Sequence, residues 1–410
     1  MTHSSTPFDE EGASAWNQPT PVPSILTEVG YYTYLFYTLL GAAFGLFVSN
    51  LGTGFLLLLL ILCVFQLRFR FLTVIHLAAF PLSCAATYVL IQLVVHDEPL
   101  LGTVRSFILW GITLLVVQSL ALKTNFLRRF AWAAFFIGIA FIPFIQIFAL
   151  AGGYQRLGLD RAVGYANPNS MAEWYGFCAV YFSVLAFLTK RNLARLFSWL
   201  AASVCLYMVT LAVSRATLVA VVVAILIAGR HLLKHGLLPI LMLACLTGIV
   251  VELGLFGEAV RSYGARGTEE TGRLAVWPLV LESFVGSPLV GVGESHTGAM
   301  VDTGRYLTPH NCLLFLAQAS GIIPLVLFSC YLLQAARVTF LEDLGSTPEG
   351  PFSQPLVIYT LLFVQSGDFD FMMPVATVAL ATPLAASLGQ TDRAVLQAPR
   401  GRSLELQGAG

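Results

Sequence analysis

The chain has 410 residues, of which 57% are hydrophobic and only 11% are charged, and its formal net charge is zero. A soluble domain carries about 25% charged residues, so the composition excludes an ordinary soluble globular protein. The neutral balance also argues against a nucleic-acid partner. Many apolar runs approach the ~20 residues that span a bilayer. The sequence therefore predicts an all-α fold, a polytopic transmembrane helical bundle of about 12 spans.

The predicted spans divide the chain into segments. They lie at 31–49, 52–67, 71–95, 104–121, 130–150, 169–188, 196–213, 216–229, 237–255, 311–334, 354–368 and 372–388. Residues 31–255 would hold the first nine spans and residues 310–389 the last three. Between them, residues 256–309 form one large polar loop that we expect to carry short helices. The polar ends, 1–30 and 390–410, read as tails, and the first of these is expected to be disordered.

Basic residues fall at every second connection between the predicted spans. These residues are Arg68, Arg70, Lys123, Arg128, Arg129, Lys190, Arg191, Arg195, Arg230, Lys234 and Arg337. Because cytoplasmic loops are enriched in Lys and Arg, this alternation places both termini in the cytoplasm and the 256–309 loop outside. The seven cysteines lie in or beside apolar runs without metal-ligand spacing, so we expect neither a disulfide framework nor a metal site.

All three lysines fall on the inner side, and the predicted outer side carries only arginine among its basic residues. The outer arginines are Arg105, Arg156, Arg161, Arg215, Arg261, Arg266, Arg273 and Arg305. Chance is one explanation, because lysine is scarce throughout. The other is phosphate binding, because the planar guanidinium group suits bidentate recognition of phosphate.

Two outer turns carry candidate binding residues. Asn167-Pro168-Asn169 opens the sixth span, where Asn caps and Pro suits the first turn of a helix, but Glu173 follows inside the apolar run. An ionisable residue in a span is costly, which makes it a functional candidate. Ser214-Arg215 lies between two spans. Arg215 either extends its side chain to the interface or lines a cavity and pairs with a lipid-linked phosphate.

The polar loop holds the remaining candidates. Residues 271–285 space Leu274, Trp277, Leu281 and Phe284 as in a short amphipathic helix, with Arg273 at its start. The glycine-rich stretch 286–293 predicts a turn-rich return and lacks the Lys-Ser/Thr of a phosphate loop. Pro309 and Asn311 around His310 predict a capped helix start. This histidine is either a polar anchor at the interface or a general base near neutral pH.

The order of these motifs resembles the O-antigen ligase and O-antigen polymerase family of bacterial membrane glycosyltransferases. The resemblance covers roughly residues 165–335. It rests on Asn167-Pro168-Asn169, Ser214-Arg215-Ala216, Gly272-Arg273 with Trp277, the segment 288–293, and Pro309-His310-Asn311 with the Gly321-Ile-Ile-Pro324 stretch. Two departures stand out. Gln318-Ala319-Ser320 stands where the family often has an acidic residue in the segment after the histidine, and Pro324 stands where relatives often have Gly.

The resemblance implies an enzyme of the bacterial inner membrane that needs no cofactor. It would move a glycan from a polyprenyl-diphosphate carrier to an acceptor hydroxyl of a glycan or a lipid core on the outer face, among membrane lipids. By resemblance, His310 would activate the acceptor hydroxyl, and Arg215 and Arg273 would hold the diphosphate. Single displacement at the anomeric carbon would invert its configuration and needs no metal, since arginine offsets the leaving-group charge. The remaining candidates for supporting residues are Asn169, Glu173, Arg266 and Asp368.

Two alternatives stay open from the sequence. Asp368-Phe-Asp370 resembles the carboxylate pair of metal-dependent glycosyltransferases, although it lies in a short late turn. A transporter or flippase for lipid-linked glycans also fits a twelve-span chain with an intramembrane Glu173. Against the transporter, the two halves show no clear internal repeat, and the arginines and His310 gather on one face rather than near the midplane.

Overall fold

The computed structural model describes residues 22–43, 49–99, 103–149, 155–159, 168–230, 273–301, 306–342, 344–365 and 374–397. This part of the chain is predominantly helical. Its α-helices are α1 (Ile25–Ala43), α2 (Ser49–Leu67), α3 (Phe71–Leu77), α4 (Ala79–Val94), α5 (Thr103–Ala121), α6 (Phe126–Phe141), α7 (Pro168–Leu188), α8 (Asn192–Leu211), α9 (Arg215–Ala228), α10 (Arg273–Gly286), α11 (Cys312–Ser320), α12 (Ile322–Leu341), α13 (Gly350–Phe363) and α14 (Pro374–Gln397).

Two small β-hairpins supplement the helices, so the all-α expectation is correct only for the dominant structure. Strands β1 (Ile145–Ala149) and β2 (Gln155–Leu159) pair antiparallel, with Ile145 opposite Leu159. Strands β3 (Ala299–Met300) and β4 (Tyr306–Leu307) pair antiparallel, with Ala299 opposite Leu307. The predicted span 130–150 therefore ends early: after Phe141 comes a 3-10 turn that contains Pro143, and the chain then becomes extended.

Within the described residues, six helical stretches are long and apolar enough to cross a membrane. They are Leu51–Leu77, Val104–Ala121, Phe126–Phe144, Pro168–Leu188, Asn192–Leu211 and Ile322–Leu341. Shorter apolar helices cover Ala79–Val94, Arg215–Ala228, Ala275–Gly286 and Pro374–Leu388. The span expected at 237–255 lies outside the described residues.

Burial separates the centre of the bundle from its periphery. In α7, 83% of the membrane-spanning stretch is buried against other parts of the chain. In the stretch Leu51–Leu77, only 22% is buried. Helix α7 packs against α8, α9 and α13. Gly176 permits this packing, because a Cβ there would overlap the hydroxyl of Tyr359 and lie 3.0 Å from Cγ2 of Thr217. Sequence hydropathy alone does not distinguish such a buried helix from one that faces lipid.

Two predicted spans are each divided into two helices. The span expected at 311–334 is interrupted at Gly321, whose φ of +80° suits glycine. A Cβ at Gly321 would collide with the carbonyl oxygen of Leu289. The span expected at 71–95 is interrupted at Ala78, between α3 and α4. Pro324, in contrast, falls in the first turn of α12, where a proline costs no helical hydrogen bond.

Helices extend into both segments that the sequence predicts as polar tails. Helix α1 already begins at Ile25, before the expected boundary at residue 31, and α14 continues to Gln397, past the expected boundary at 389. The six cysteines in the part of the chain that the structure describes form no disulfide bond, and five of them are buried. The structure thus agrees with their interpretation as small apolar residues.

Candidate active site

His310 lies in the turn that joins β4 to α11. It is half-buried, and its φ of +44° is in the left-handed region. A non-glycine residue there costs of order 1–3 kcal/mol and persists only where its surroundings hold it, and such residues cluster at active sites. The ring Nε2 lies 3.4 Å from Oγ1 of Thr308. This separation is longer than an ordinary hydrogen bond, so the hydroxyl borders the ring nitrogen without binding it tightly.

The residues after His310 are fixed to two helices. Asn311 is buried, and its side-chain oxygen accepts hydrogen bonds from the backbone N–H groups of Leu313 and Leu314 at 3.0 and 3.1 Å. Its amide nitrogen donates to Oε1 of Gln365 at 3.2 Å. The N–H of Cys312 donates to the carbonyl of Val364 at 3.2 Å. The prediction of a capped helix start at His310 is confirmed, and the cap is also joined to the end of α13.

The residues before His310 are fixed to α10. The indole Nε1 of Trp277 donates a hydrogen bond to the carbonyl oxygen of Pro309 at 2.9 Å. Val276 and Val280 of the same helix are fully buried against Val301, Leu307 and Leu314. Helix α10, the β3–β4 hairpin and α11 therefore pack as one unit around the His310 turn.

Helix α10 begins at Arg273, as the sequence predicted for a short helix in the loop. The side chain of Arg273 lies outside the described residues, but its backbone is one helical turn before Trp277. The predicted apolar stripe is only partly correct. Val276 and Val280 face the interior, while Leu281 is 47% exposed. The true buried face is shifted because the β3–β4 hairpin covers it, a contact that helical spacing does not predict.

The turn before Arg215 has the same backbone arrangement as the turn at His310. Arg215 is the first residue of α9 and is half-buried. Ser214 precedes it at the N-cap, and Val213 before that has a φ of +52°. A β-branched residue with positive φ is an outlier, so both turns place a left-handed residue directly before an N-cap. The prediction that Ser214-Arg215 lies at a turn between two helices is confirmed.

A chain of contacts places Arg215 and His310 at the same end of the bundle. Thr217, two residues after Arg215, lies beside Gly176, which also contacts Tyr359. Tyr359 is five residues before Val364, and Val364 binds Cys312. The five residues from Tyr359 to Val364 span about 7–8 Å along α13, at a rise of about 1.5 Å per residue. We call this the His310 end, defined by Arg215, His310, Cys312 and Val364.

Glu173 and Asn169 belong to α7 at this end. Asn169 is half-buried in the first turn, next to Pro168. Glu173 is only 5% exposed, and its backbone carbonyl accepts a hydrogen bond from the Tyr359 hydroxyl at 2.7 Å. Glu173 thus lies in the interior between α7 and α13. Pro168 in the first helical turn agrees with the prediction, and Asn167 lies outside the described residues.

A second set of contacts holds the return of the loop. The N–H of Val292 donates to the carbonyl of Gln318 at 2.8 Å, and the N–H of Gly293 donates to that of Ala319 at 3.1 Å. Gly291, with φ +71°, has no room for a Cβ, which would collide with the Gln318 carbonyl. The predicted turn-rich return at 286–293 is confirmed, and it is anchored to the end of α11.

Three polar side chains complete this anchor. Buried Gln92 donates to the carbonyl of Ala319 at 2.8 Å and accepts from the N–H of Glu294 at 2.9 Å. His96 Nε2 lies 2.9 Å from the carbonyl of Val290 and serves as the donor. Glu98 accepts from the backbone N–H of Ser295 at 2.9 Å and from its hydroxyl. We call Gln92, His96 and Glu98 the loop clasp.

Hydrogen bonding also sets the ionisation of the clasp. The bonds from the hydroxyl and the backbone N–H of Ser295 hold the pKa of Glu98 below its ordinary value. Donors that stabilise the charged form of a carboxyl lower its pKa. The sequence signal for the clasp was the run His96-Asp97-Glu98 at the end of an apolar stretch. Its partner could not be read from the sequence, because the loop return is about 200 residues away.

Arg266 and Asp368 lie outside the described residues, and so does the Asp368-Phe-Asp370 pair as a whole. Among the residues that the structure does describe, no group of three or more His, Cys, Asp or Glu side chains could hold a metal ion. The turns of Arg215 and His310 and the beginning of α7 lie at the same end of the bundle, and α10 packs beside the His310 turn.

Comparison with protein families bears on this arrangement. Residues 200–329 match the family described as O-Antigen ligase. The predicted resemblance to that family is confirmed. The matched segment contains Arg215, Arg273 and His310, while Asn169, Glu173 and Asp368 fall outside it. No curated protein matches the chain. The O-antigen ligase similarity, together with the apolar helices, indicates a multi-pass membrane protein and an enzyme of the ligase or polymerase type.

Proposed function

We propose that this protein is a membrane glycosyltransferase that moves a glycan from a polyprenyl-diphosphate carrier to an acceptor hydroxyl. The transfer would take place on the outer side of the bacterial inner membrane, with both termini of the chain in the cytoplasm. The observation that carries the proposal is the His310 turn, hydrogen-bonded on both sides, within the matched O-antigen ligase segment. It presents an imidazole at the same end of the bundle as the Arg215 turn.

In this proposal His310 is the general base. A base must take the proton of the acceptor hydroxyl as that oxygen attacks the anomeric carbon, and histidine is the side chain that most often fills this role. The structure supports this role through hydrogen bonds. The Asn311 cap and the bond from Trp277 hold the backbone on both sides of His310. A base held in one position lets the acceptor oxygen attack the anomeric carbon from one direction. A single displacement then inverts the configuration at that carbon.

Arg215 and Arg273 would bind the diphosphate. Each stands at the first position of a helix, and helix N-termini favour anions through their free N–H groups and the helix dipole. The carrier diphosphate is a good leaving group that needs charge compensation rather than a proton. Guanidinium forks supply this compensation, which is the basis for proposing a metal-independent transfer.

The test is transfer by purified protein reconstituted in lipid vesicles with a lipid-linked glycan and a set of candidate acceptors. We expect His310→Ala to lower the transfer rate about 10²–10⁴-fold, the usual contribution of a general base. Arg215→Ala and Arg273→Ala should each cost about 10²–10³-fold. His76→Ala, which removes an exposed histidine of α3, is the matched control and should retain full activity. Full activity of a folded His310→Ala variant would refute the proposed mechanism.

The same assay separates the remaining possibilities. A single new product indicates a ligase, whereas a ladder of products indicates a polymerase. Retention of the anomeric configuration would contradict single displacement. Loss of activity on chelation, restored by a divalent ion, would instead support a metal role for Asp368 and Asp370. Movement of the lipid-linked glycan across the vesicle membrane without transfer would favour the transporter.

A further inference from the structure

Trp277 joins α10 directly to the backbone before His310. Its indole N–H donates to the Pro309 carbonyl at 2.9 Å, and the side chain is half-buried. Because Pro309 precedes His310, this carbonyl belongs to the peptide plane that also contains the His310 nitrogen. A peptide plane is rigid, so holding its oxygen fixes the orientation of the whole plane.

This geometry limits the rotation that sets the position of the imidazole. The φ angle of His310 is the rotation between that peptide plane and the rest of the residue, and its value of +44° is unfavourable for histidine. On the other side, Asn311 is fixed by its cap to Leu313 and Leu314. The unfavourable angle is thus held from both sides, by Trp277 before it and by the cap after it.

We infer that Trp277 is a positioning residue for His310, an inference that rests on the proposed function. Its indole N–H holds the Pro309–His310 peptide in the orientation that directs the imidazole toward the acceptor hydroxyl. The same side chain also sets the distance between the base and the start of α10, because Arg273 is one turn before Trp277. In this inference Trp277 acts through the backbone of His310 and not by contact with the substrate.

The experiment compares Trp277→Phe with the wild-type protein in the reconstituted transfer assay. Phenylalanine keeps most of the apolar ring but has no N–H. Misplacing a catalytic group by about 1 Å can cost about 10²-fold, so we expect kcat to fall about 10–100-fold. We expect kcat/KM for the lipid-linked donor to fall by the same factor and KM to stay within about twofold, the pattern of an interaction needed only in the transition state.

Trp174→Phe is the matched control. Trp174 also donates its indole N–H to a backbone carbonyl at 2.9 Å, that of Ala134, but it lies in the interior between α6 and α7. This control should lower thermal stability while kcat stays unchanged. A second variant guards against misfolding: 3-benzothienylalanine at position 277 replaces only the N–H by sulfur and should reproduce the loss of kcat.

The outcomes separate this inference from the proposed function. If His310→Ala abolishes transfer while Trp277→Phe keeps wild-type kcat, the positioning role of Trp277 is overturned. The proposed role of His310 as the general base is then retained. A higher KM with unchanged kcat in Trp277→Phe would also overturn it, because that result indicates substrate binding. An equal loss of kcat in Trp174→Phe would overturn the positioning role, because it would show that the loss in Trp277→Phe comes from general destabilisation. Full activity of His310→Ala would remove the proposed base and this inference with it.

Discussion

The carboxamide of Gln318 makes two hydrogen bonds with the backbone of one residue. Its Oε1 accepts from the N–H of Gly298 at 2.7 Å, and its Nε2 donates to the carbonyl of Gly298 at 2.9 Å. The side chain is 1% exposed. An amide satisfies both groups because it carries a donor and an acceptor. The absence of the acidic residue that the family often has in this segment therefore has a structural reason: Gln318 holds the chain just before the β3–β4 hairpin.

We predict that Gln318→Glu weakens this attachment. An ionised carboxylate would still accept from the Gly298 N–H, but its second oxygen would face the Gly298 carbonyl and repel it. Loss of the bond and the unpaired buried carbonyl should cost about 1–3 kcal/mol. Hydrogen exchange in residues 291–300 should become faster, which mass spectrometry of that peptide measures.

The control for this substitution is Gln354→Glu in α13. The amide of Gln354 has only a long contact of 3.5 Å with the Thr339 carbonyl, at the opposite end of the bundle. This variant also introduces a carboxylate into a helix but should leave exchange in 291–300 unchanged. Equal protection of that peptide in wild type and Gln318→Glu would contradict the assigned role.

At the scale of elements, the sequence predicted helices well where apolar length alone decides them. The predicted spans 104–121 and 169–188 differ from α5 and α7 by a single residue at the start. The breaks at Gly321 and Ala78 were not predicted, because the first depends on the approach of Leu289 from another part of the chain. The Asn311 cap is a local signal and was predicted, whereas the bonds from Trp277 and the loop clasp join residues far apart in sequence.

The loop clasp gives the loop a pH dependence whose sign is fixed by Glu98. Its pKa is depressed by the bonds from Ser295, so the clasp is fully stabilising above the ordinary carboxyl pKa. That stabilisation is lost as the pH falls through the depressed pKa, when the protonated acid no longer accepts both bonds. We therefore predict that residues 290–298 stay protected at neutral pH and lose protection only in acid, below about pH 4.

The measurement is hydrogen exchange of the 290–298 peptide across a pH series, corrected for the intrinsic exchange rate. Glu98→Gln removes the titrating group and is the matched variant. In the Glu98→Gln variant, protection of the 290–298 peptide from exchange should be lower than in the wild type at neutral pH. In the acid range this protection should not depend on pH. A pH profile that remains the same after Glu98→Gln would assign the titration to another group.

At the scale of the whole molecule, the two ends of the bundle have different polar structures. The far end joins α1, the α5–α6 connection and the start of α13. Glu28 is fully buried there, 2.6 Å from Nζ of Lys123 and 2.6 Å from Nε of Arg129. Glu349 at the same end accepts from the Asn125 N–H at 2.8 Å. Because α13 runs from Glu349 to the His310 end, its length of about 20 Å separates this cluster from the site.

We predict that Glu28→Gln lowers stability without changing catalysis. Removing one member of a buried ion pair costs about 3–5 kcal/mol, because the partner charges lose compensation. Arg129 is 36% exposed and remains partly solvated, so we expect about 1–3 kcal/mol here. Thermal unfolding in detergent should occur at lower temperature, while kcat at a permissive temperature equals that of wild type. Glu342→Gln, an exposed residue at the same end, is the control and should change neither quantity. A fall in kcat in the folded Glu28→Gln protein would show that the two ends are coupled, and the far end would then belong to the catalytic cycle rather than to the scaffold alone.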